Sequence, residues 1–354
     1  MVETLKIEIE RVVKSRLSEV DFKDLPFGRI FTDHMFIADY KVGEWKNSRI
    51  VPYGHITVSP ASPAIHYGQA IFEGLKAHRD ENNKALVFRP ADNCKRLNIS
   101  AERLALAKVP EEIFMDGLAA LINLDRAWIP TAAGSSLYLR PYLFSADGYI
   151  GIRPSQDFTF MIIASPAGMY YSEPLRVKIE THYTRAVEGG TGFAKAAGNY
   201  GGAIYPSKLA QAQGYHQLIW TDGKKHEYIE ESGTMNVMFV INETLVTPAL
   251  SDSILAGITR DSVLKIARDW GVKVEERKIA VKELIDALKK GTVSEAFGVG
   301  TAATIARIET IGHEGKDYSL PSSDKTAFAT KVYTELDGIK RGIRPDPFHW
   351  VVKM

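Results

Sequence analysis

Alternating apolar and polar positions, enriched in β-branched and aromatic residues, predict strands over residues 29–40, 84–89, 136–144, 158–164, 175–180, 217–221, 237–241, 272–279 and 293–299. A longer period marks the helices. Pro90 suits a first helical turn, and Cys94, Leu97, Ala101 and Leu104 then share one face. Residues 259–271 carry Val263, Ile266, Ala267 and Trp270 ahead of a terminating Gly271, and 281–291 and 323–338 read similarly. Strands often follow strands, so the pattern predicts an α+β fold rather than a doubly wound sheet. Two irregular stretches, 145–154 and 165–174, hold the glycines and prolines expected of a link between domains or of a ligand-touching loop.

Composition narrows the class of partner. A chain of 354 residues, 45% hydrophobic and 25% charged, is an ordinary globular composition with room for two domains. With 44 basic and 43 acidic residues the formal net charge is +1, which argues against nucleic acid and against a membrane surface as partners. Cys94 is the sole cysteine, so an intrachain disulfide framework and a Cys-rich metal site are excluded and a reducing, cytoplasmic compartment is expected. Charges from the third residue onward predict no secretory or transit leader. The most apolar run, 158–171, is interrupted by Pro166 and is too short to cross a bilayer.

Several common motifs fail. The histidines form no His-x-x-x-His pair, so a metal site has little support, and no Gly-x-Ser-x-Gly elbow exists. The stretch Gly189-Gly-Thr-Gly-Phe-Ala-Lys195 is not a phosphate loop, because Phe193 and Ala194 precede the lysine and Ala196 follows it. It is unusual all the same, since Lys195 is the one charged residue between positions 189 and 203. Poor hydration favours a neutral amine, which can form a Schiff base, although a lysine with its head in water is the plainer reading of this stretch alone. Downstream, Glu231 precedes a tight turn at Gly233 and a predicted strand, a place for a fixed carboxylate, with an ordinary turn acid as the competing reading. Two further stretches look like anion cradles: Gly257-Ile-Thr-Arg-Asp261 opens a predicted helix, and Gly298-Val-Gly-Thr-Ala-Ala303 follows a predicted strand. A lone lysine, a carboxylate and two anion cradles together match the needs of pyridoxal phosphate.

With these residues in view, the chain resembles branched-chain amino acid aminotransferases, class IV pyridoxal-phosphate enzymes of the D-amino acid aminotransferase-like fold (fold type IV). The resemblance spans nearly the whole chain. It rests on Ile65-His-Tyr-Gly-Gln-Ala-Ile-Phe-Glu-Gly-Leu-Lys76, Phe88-Arg-Pro90 with Lys95-Arg-Leu97, Tyr138-Leu-Arg-Pro141, the stretch from Lys195 to Tyr200, Glu231-Ser-Gly-Thr-Met-Asn236, Gly257-Ile-Thr-Arg-Asp261 and Gly300-Thr-Ala302, in that order. It implies that Lys195 is the catalytic residue, holding the cofactor covalently and, once displaced by substrate, moving the proton from Cα. Tyr200 is implied to hydrogen-bond the phenolate oxygen and Glu231 to hold the ring nitrogen protonated. Arg96, Ile258, Thr259 and Thr301 are implied to bind the phosphate, although periodicity alone would leave Arg96 solvated.

The same resemblance implies a substrate pocket of Phe72, Tyr138 and Tyr170, with Tyr67 and Ile152 contributed across a homodimer interface. The α-carboxylate is implied on the amides of Thr301 and Ala302. Arg140, supported by Tyr67, is implied to take the side-chain carboxylate of glutamate. Core packing is the competing reading of the aromatics. The implied reaction is reversible transamination between L-leucine, L-isoleucine or L-valine and 2-oxoglutarate. A small N-terminal α/β domain over 1–167, an interdomain loop over 168–174 and a large C-terminal domain over 175–354 carrying the lysine are expected. Ala303 and Ala306 stand where some relatives carry a Cys-x-x-Cys pair, so that thiol switch is absent, and Ala197 replaces a frequent glycine. A D-amino acid aminotransferase or an aminodeoxychorismate lyase shares the lysine and the glutamate, and a catalytically silent cofactor carrier is a remoter alternative. The Glu-x-Gly-Thr-Met-Asn and Tyr-x-Arg-Pro stretches and the long N-terminal extension favour the branched-chain enzyme.

Overall fold

The apolar run that begins at Phe158 forms a central strand of one of two sheets in a computed structural model, which describes residues 5–171, 173–322 and 324–354. The chain divides into two units, Met1–Tyr170 with Ala194–Gly198 and Gly338–Met354, and Tyr171–Phe193 with Asn199–Asp337.

The first unit begins with β1 (Glu8–Ile9), β2 (His34–Lys41), β3 (Glu44–Pro52), α1 (Pro63–Tyr67), β4 (Ala70–Phe72), β5 (Leu75–Arg79) and β6 (Ala85–Phe88). It continues through α2 (Pro90–Arg103), α3 (Glu111–Leu124), β7 (Ser136–Ser145) and β8 (Phe158–Ala167). The chain then runs through β9 (Leu175–Ile179), α4 (Ala197–Gly201), α5 (Ile204–Ala212), β10 (Gln217–Thr221), β11 (Ile229–Ser232), β12 (Met235–Ile241) and β13 (Thr244–Thr247). Next come α6 (Ile258–Asp269), β14 (Val274–Glu276), α7 (Val281–Lys289), β15 (Val293–Gly300), β16 (Thr304–His313), β17 (Lys316–Ser319) and α8 (Phe328–Lys340). The last strand, β18 (Val351–Lys353), pairs antiparallel with β6 in the first unit.

Among the described residues the first sheet has the order β1-β3-β2-β8-β7-β5-β6-β18, with β4 added beside β7. β7 and β8 pair from Ser136↔Ala167 to Ser145↔Phe158. One face of this sheet packs on α2 and α3 around Phe36, Leu97, Phe114, Leu118 and Phe160. Gly117 permits that contact, because a Cβ at this position would meet the Phe36 ring at 2.7 Å. The second sheet has the order β11-β10-β9-β16-β15-β12-β13-β14 with β17 beside β16, and mixes parallel and antiparallel pairs. Its core gathers Val237, Phe239, Leu284, Ile285 and Ile308. Mixed sheets with helices packed on them make the fold α+β.

Most differences from the sequence reading have local causes. The expected strand 29–40 starts at His34, because Asp33 turns to accept hydrogen bonds from Ser15 Oγ at 2.5 Å and the Arg16 amide at 2.9 Å. The helix expected over 323–338 begins at Phe328, where the Glu295 carboxylate accepts the Phe328 and Ala329 amides at 2.7 and 2.9 Å; Ser323 lies outside the described residues. Leu97, Ala101 and Cys94 are buried along α2 as the periodicity predicts, and burial, with the Glu111 and Glu73 carboxylates, pushes the Cys94 thiol up to about 12.

The two units differ from the expected domains in two ways. Ala194–Gly198, and with it Lys195, packs with the first unit rather than the second, and the chain returns to the first unit from Gly338, which makes that unit the larger. Hydrogen bonds explain the placement of the lysine. Its amide donates to Ser100 Oγ at 2.9 Å, its carbonyl accepts the Phe72 amide at 3.1 Å, and Ala196 bridges Ile71. Ser172, within the expected 168–174 loop, lies outside the described residues.

Candidate active site

In the first unit the Phe-Glu-Gly stretch that ends β4 does three jobs. Phe72 presents its ring to two cations: Lys195 Nζ lies 4.8 Å and the Arg140 guanidinium 4.5 Å from the ring centroid. Cations favour the negative face of an aromatic ring, so one apolar side chain holds both an amine and a guanidinium against it. Glu73 is fully buried and takes the Arg96 fork in a two-point ion pair, Nε to Oε1 and Nη2 to Oε2, each 2.8 Å. Gly74 leaves room for Tyr138, since a Cβ there would run into the Tyr138 hydroxyl.

Tyr138 lies in β7, where Arg140 is two residues on and therefore on the same face. The Arg140 Nη2 donates to the Tyr138 hydroxyl at 3.0 Å. Phe27 stands edge-on to both Tyr138 and Tyr170, with centroids 4.9 Å apart in each pair, so this one ring joins two of the expected pocket aromatics. Phe72, Tyr138, Arg140, Tyr170 and Lys195 are thus linked by direct contacts, through Phe27 for Tyr170. Arg96 is buried rather than solvated, because α2 carries it onto Glu73. Ser100 ties the helix to the lysine: its hydroxyl donates to the Arg96 carbonyl at 3.0 Å and accepts the Lys195 amide. Tyr67 at the end of α1 and Ile152 in the 145–154 stretch are 47% and 95% exposed in this chain.

In the second unit, register brings the other motifs together. Glu231 on β11 faces Asn236 on β12, and Asn236 faces Val299 on β15. Met235 packs over Gly298 and Gly300, where a Cβ would meet its side chain at 2.6 and 3.2 Å. The half-buried Thr301 and Ala302 form the turn that follows. Glu231 itself is buried. Its Oε1 accepts the Leu255 amide at 2.7 Å and the Asn236 carboxamide at 3.4 Å, and its Oε2 lies 3.2 Å from Arg185 Nε. Asn236 also donates to the Leu255 carbonyl at 2.9 Å, which holds the approach to α6. That helix opens at Ile258 and Thr259, both buried, with no side-chain cap. Tyr200, half-buried on α4, follows Asn199, which clasps Thr191 by two hydrogen bonds of 2.6 and 2.7 Å.

Gly257 has the tightest fit of this group, since a Cβ there would run into the Asn236 carboxamide. Gly257→Ala is expected to push Asn236 off Leu255 and to destabilise the second unit by about 1–3 kcal/mol, read as a lower urea midpoint.

Taken unit by unit, the residues fit pyridoxal phosphate. A lysine lies on a charge-poor stretch, a buried carboxylate has a cation beside it to favour ionisation, and a helix start, the end of a helix that favours anions, carries a threonine hydroxyl. Three participants escaped the sequence reading. Glu73 lies within the stretch from Ile65 to Lys76 but nothing in its spacing marks it, Arg185 is a lone cation ahead of the Gly189 loop, and Phe27 carries no sequence signal. Among the described residues no helix is long and apolar enough to cross a membrane, and no group of three or more His, Cys, Asp or Glu side chains is placed to hold a metal.

The chain is similar to known proteins in sequence and in fold. The family model of class IV amino-transferases matches residues 70–311. The chain is 41% identical to branched-chain-amino-acid aminotransferase 2 of Bacillus subtilis (strain 168) over 356 residues, covering 99% of this chain and 97% of that protein. Two crystal structures share its fold. A branched-chain aminotransferase from Thermoproteus uzoniensis, solved with norvaline, is 28% identical with a TM-score of 0.72, covering 90% of this chain and 99% of that one. The Escherichia coli branched-chain amino acid aminotransferase is 26% identical with a TM-score of 0.73, covering 89% and 98%.

Proposed function

Because the chain belongs to the class IV aminotransferase family, we propose that it catalyses reversible, pyridoxal-phosphate-dependent transamination between L-leucine, L-isoleucine or L-valine and 2-oxoglutarate, giving branched-chain 2-oxo acids and L-glutamate. Pyridoxal phosphate, when bound, supplies an electron-withdrawing ring that spreads the negative charge developing at the substrate Cα. The chain's residues do the rest. Lys195 anchors the cofactor and moves the Cα proton. Glu231 accepts the proton-bearing ring nitrogen, and Tyr200 donates to the phenolate oxygen. Arg96, Ile258, Thr259 and Thr301 bind the phosphate, Arg96 through the charge of a guanidinium whose Nε and Nη2 also hold Glu73.

The observation that carries the substrate assignment is the double contact of Phe72. An enzyme for leucine and glutamate must accept an apolar side chain and a carboxylate in one place. Here the ring of Phe72 contacts both the reactive amine and the Arg140 guanidinium, and Tyr138 accepts a hydrogen bond from that guanidinium at its hydroxyl. Phe72, Tyr138, Tyr170 and Phe27 suit the branched side chain, Arg140 the side-chain carboxylate, and the Thr301 and Ala302 amides the α-carboxylate. Arg140→Met is expected to lower kcat/KM for 2-oxoglutarate by about 10–150-fold, while single-turnover reaction with leucine changes little.

The proposal extends to a homodimer in which Tyr67 and Ile152 serve a second copy of this chain. Exposed Ile65, Tyr67, Tyr149, Ile150 and Ile152 support it, since apolar side chains grouped at a surface mark an association site. The proposal includes a cytoplasmic location, and the single, buried cysteine supports it. The test is one panel: purified protein with L-leucine, L-isoleucine and L-valine plus 2-oxoglutarate, with D-alanine plus an oxo acid, and with aminodeoxychorismate. Turnover of the three branched substrates is expected. Failure with all three, or preference for either of the other substrates, would overturn the assignment.

A further inference from the structure

Building on the proposed cofactor chemistry, we infer that Arg185 is a positioning residue that keeps the Glu231 carboxylate ionised and aimed. Glu231 and Arg185 are nearly sealed from water, with side chains 5% and 8% exposed, and Arg185 Nε lies 3.2 Å from Glu231 Oε2. A carboxylate buried alone gives up its charge, and a guanidinium within contact distance reverses that preference. The guanidinium cannot swing away easily, because its Nη2 donates to the Ser253 carbonyl and, at 3.4 Å, to the Gly192 carbonyl. Gly192 has room for this packing only as glycine, since a Cβ would lie 2.6 Å from Ser253 Cα.

The neighbouring acid shows why the cation is needed. Glu230 is also buried, and burial holds its carboxyl above the usual range, with the Glu231 and Asp222 charges adding to the rise. The Ser253 hydroxyl, which donates to Glu230 Oε1, and the Arg185 charge pull in the other direction. Two adjacent buried carboxylates therefore compete for Arg185, and the ion pair is made with Glu231. The two oxygens of Glu231 are divided between different donors: Oε1 takes the Leu255 amide and the Asn236 carboxamide, and Oε2 faces the cation. This sets both the charge and the rotamer of a carboxylate whose task is to accept an N–H. A protonated Glu231 would lose that acceptor character and, with it, the hold on a charged ring nitrogen.

The experiment compares the wild type with Arg185→Gln and Arg185→Lys. In cofactor-free protein labelled at the glutamate carboxyl carbons, NMR follows Glu231 and Glu230 through pH, with assignments from Glu231→Gln and Glu230→Gln. Wild-type Glu231 is expected to titrate below Glu230. Arg185→Gln is expected to raise the proton affinity of Glu231 by more than about ten-fold, and Arg185→Lys to restore most of the difference. In the holoenzyme, Arg185→Gln should lower kcat for leucine by about ten-fold or more near neutral pH, recover as pH rises and leave KM little changed. An unmoved Glu231 titration, or a loss of kcat that does not depend on pH, overturns the inference. Should Arg185→Gln fail to fold, the wild-type order decides: Glu231 titrating at or above Glu230 overturns it. A wild type without transaminase activity would sink the proposed function, whereas the titration of cofactor-free protein judges Arg185 either way.

Discussion

Lys195→Ala is expected to abolish steady-state transamination, with turnover falling by at least about 10³-fold. The expectation is chemical because two contacts that seat this residue run through its backbone: the amide to Ser100 Oγ and the carbonyl to the Phe72 amide. Alanine keeps both, and Ala196 keeps its bridge to Ile71. What disappears is the amine over the Phe72 ring, in a stretch where no other residue between positions 189 and 203 is charged. No other amine lies on that stretch to hold the cofactor covalently. The measurement is turnover of leucine with 2-oxoglutarate, alongside far-ultraviolet circular dichroism and urea unfolding to show that the variant is folded. Near-normal turnover would remove Lys195 from the reaction.

Elements with a strong one-sided pattern were legible in the sequence, and those whose inward face is small or polar were not. β10 has the bounds that its apolar run predicts. β16 went unread although it is ten residues long, because its buried positions begin with Thr304 and Ala306 while Arg307 and Glu309 point outward. α3 was hidden by Gly117, a residue that argues against helix by propensity and is needed there by the Phe36 ring. The same division holds for the candidate site. Residues in compact motifs, such as Lys195, Glu231 and the Gly257 turn, could be picked out because several unusual features fall within a few positions. Their partners could not. Arg185 meets Glu231, and Glu73 meets Arg96, across sequence separations that only the folded chain closes. Arg96 shows the cost of reading one helix alone: its position on α2 looks solvated until β4 and the residue after it are placed beside that helix.

Glu73→Ala is expected to cost the first unit about 3–5 kcal/mol, because it strands a buried guanidinium. Glu73 is fully buried and Arg96 nearly so, and their two hydrogen bonds of 2.8 Å leave little freedom in the fork. The loss should appear as a lower urea midpoint. A double variant separates the two tasks assigned to Arg96. Replacing both partners by apolar residues of similar size, Glu73→Leu with Arg96→Met, removes the stranded charge, and buried ion pairs exchanged in this way are often neutral in stability. The double variant should therefore recover most of the stability that Glu73→Ala loses. If Arg96 also binds the phosphate, the recovered fold will still bind pyridoxal phosphate about 10–150-fold more weakly, the loss expected for hydrogen bonds to a charged group. Wild-type affinity in the double variant would confine Arg96 to holding β4 against α2. Weak affinity in a fold that has regained its stability would show that one guanidinium both closes the core and meets the cofactor.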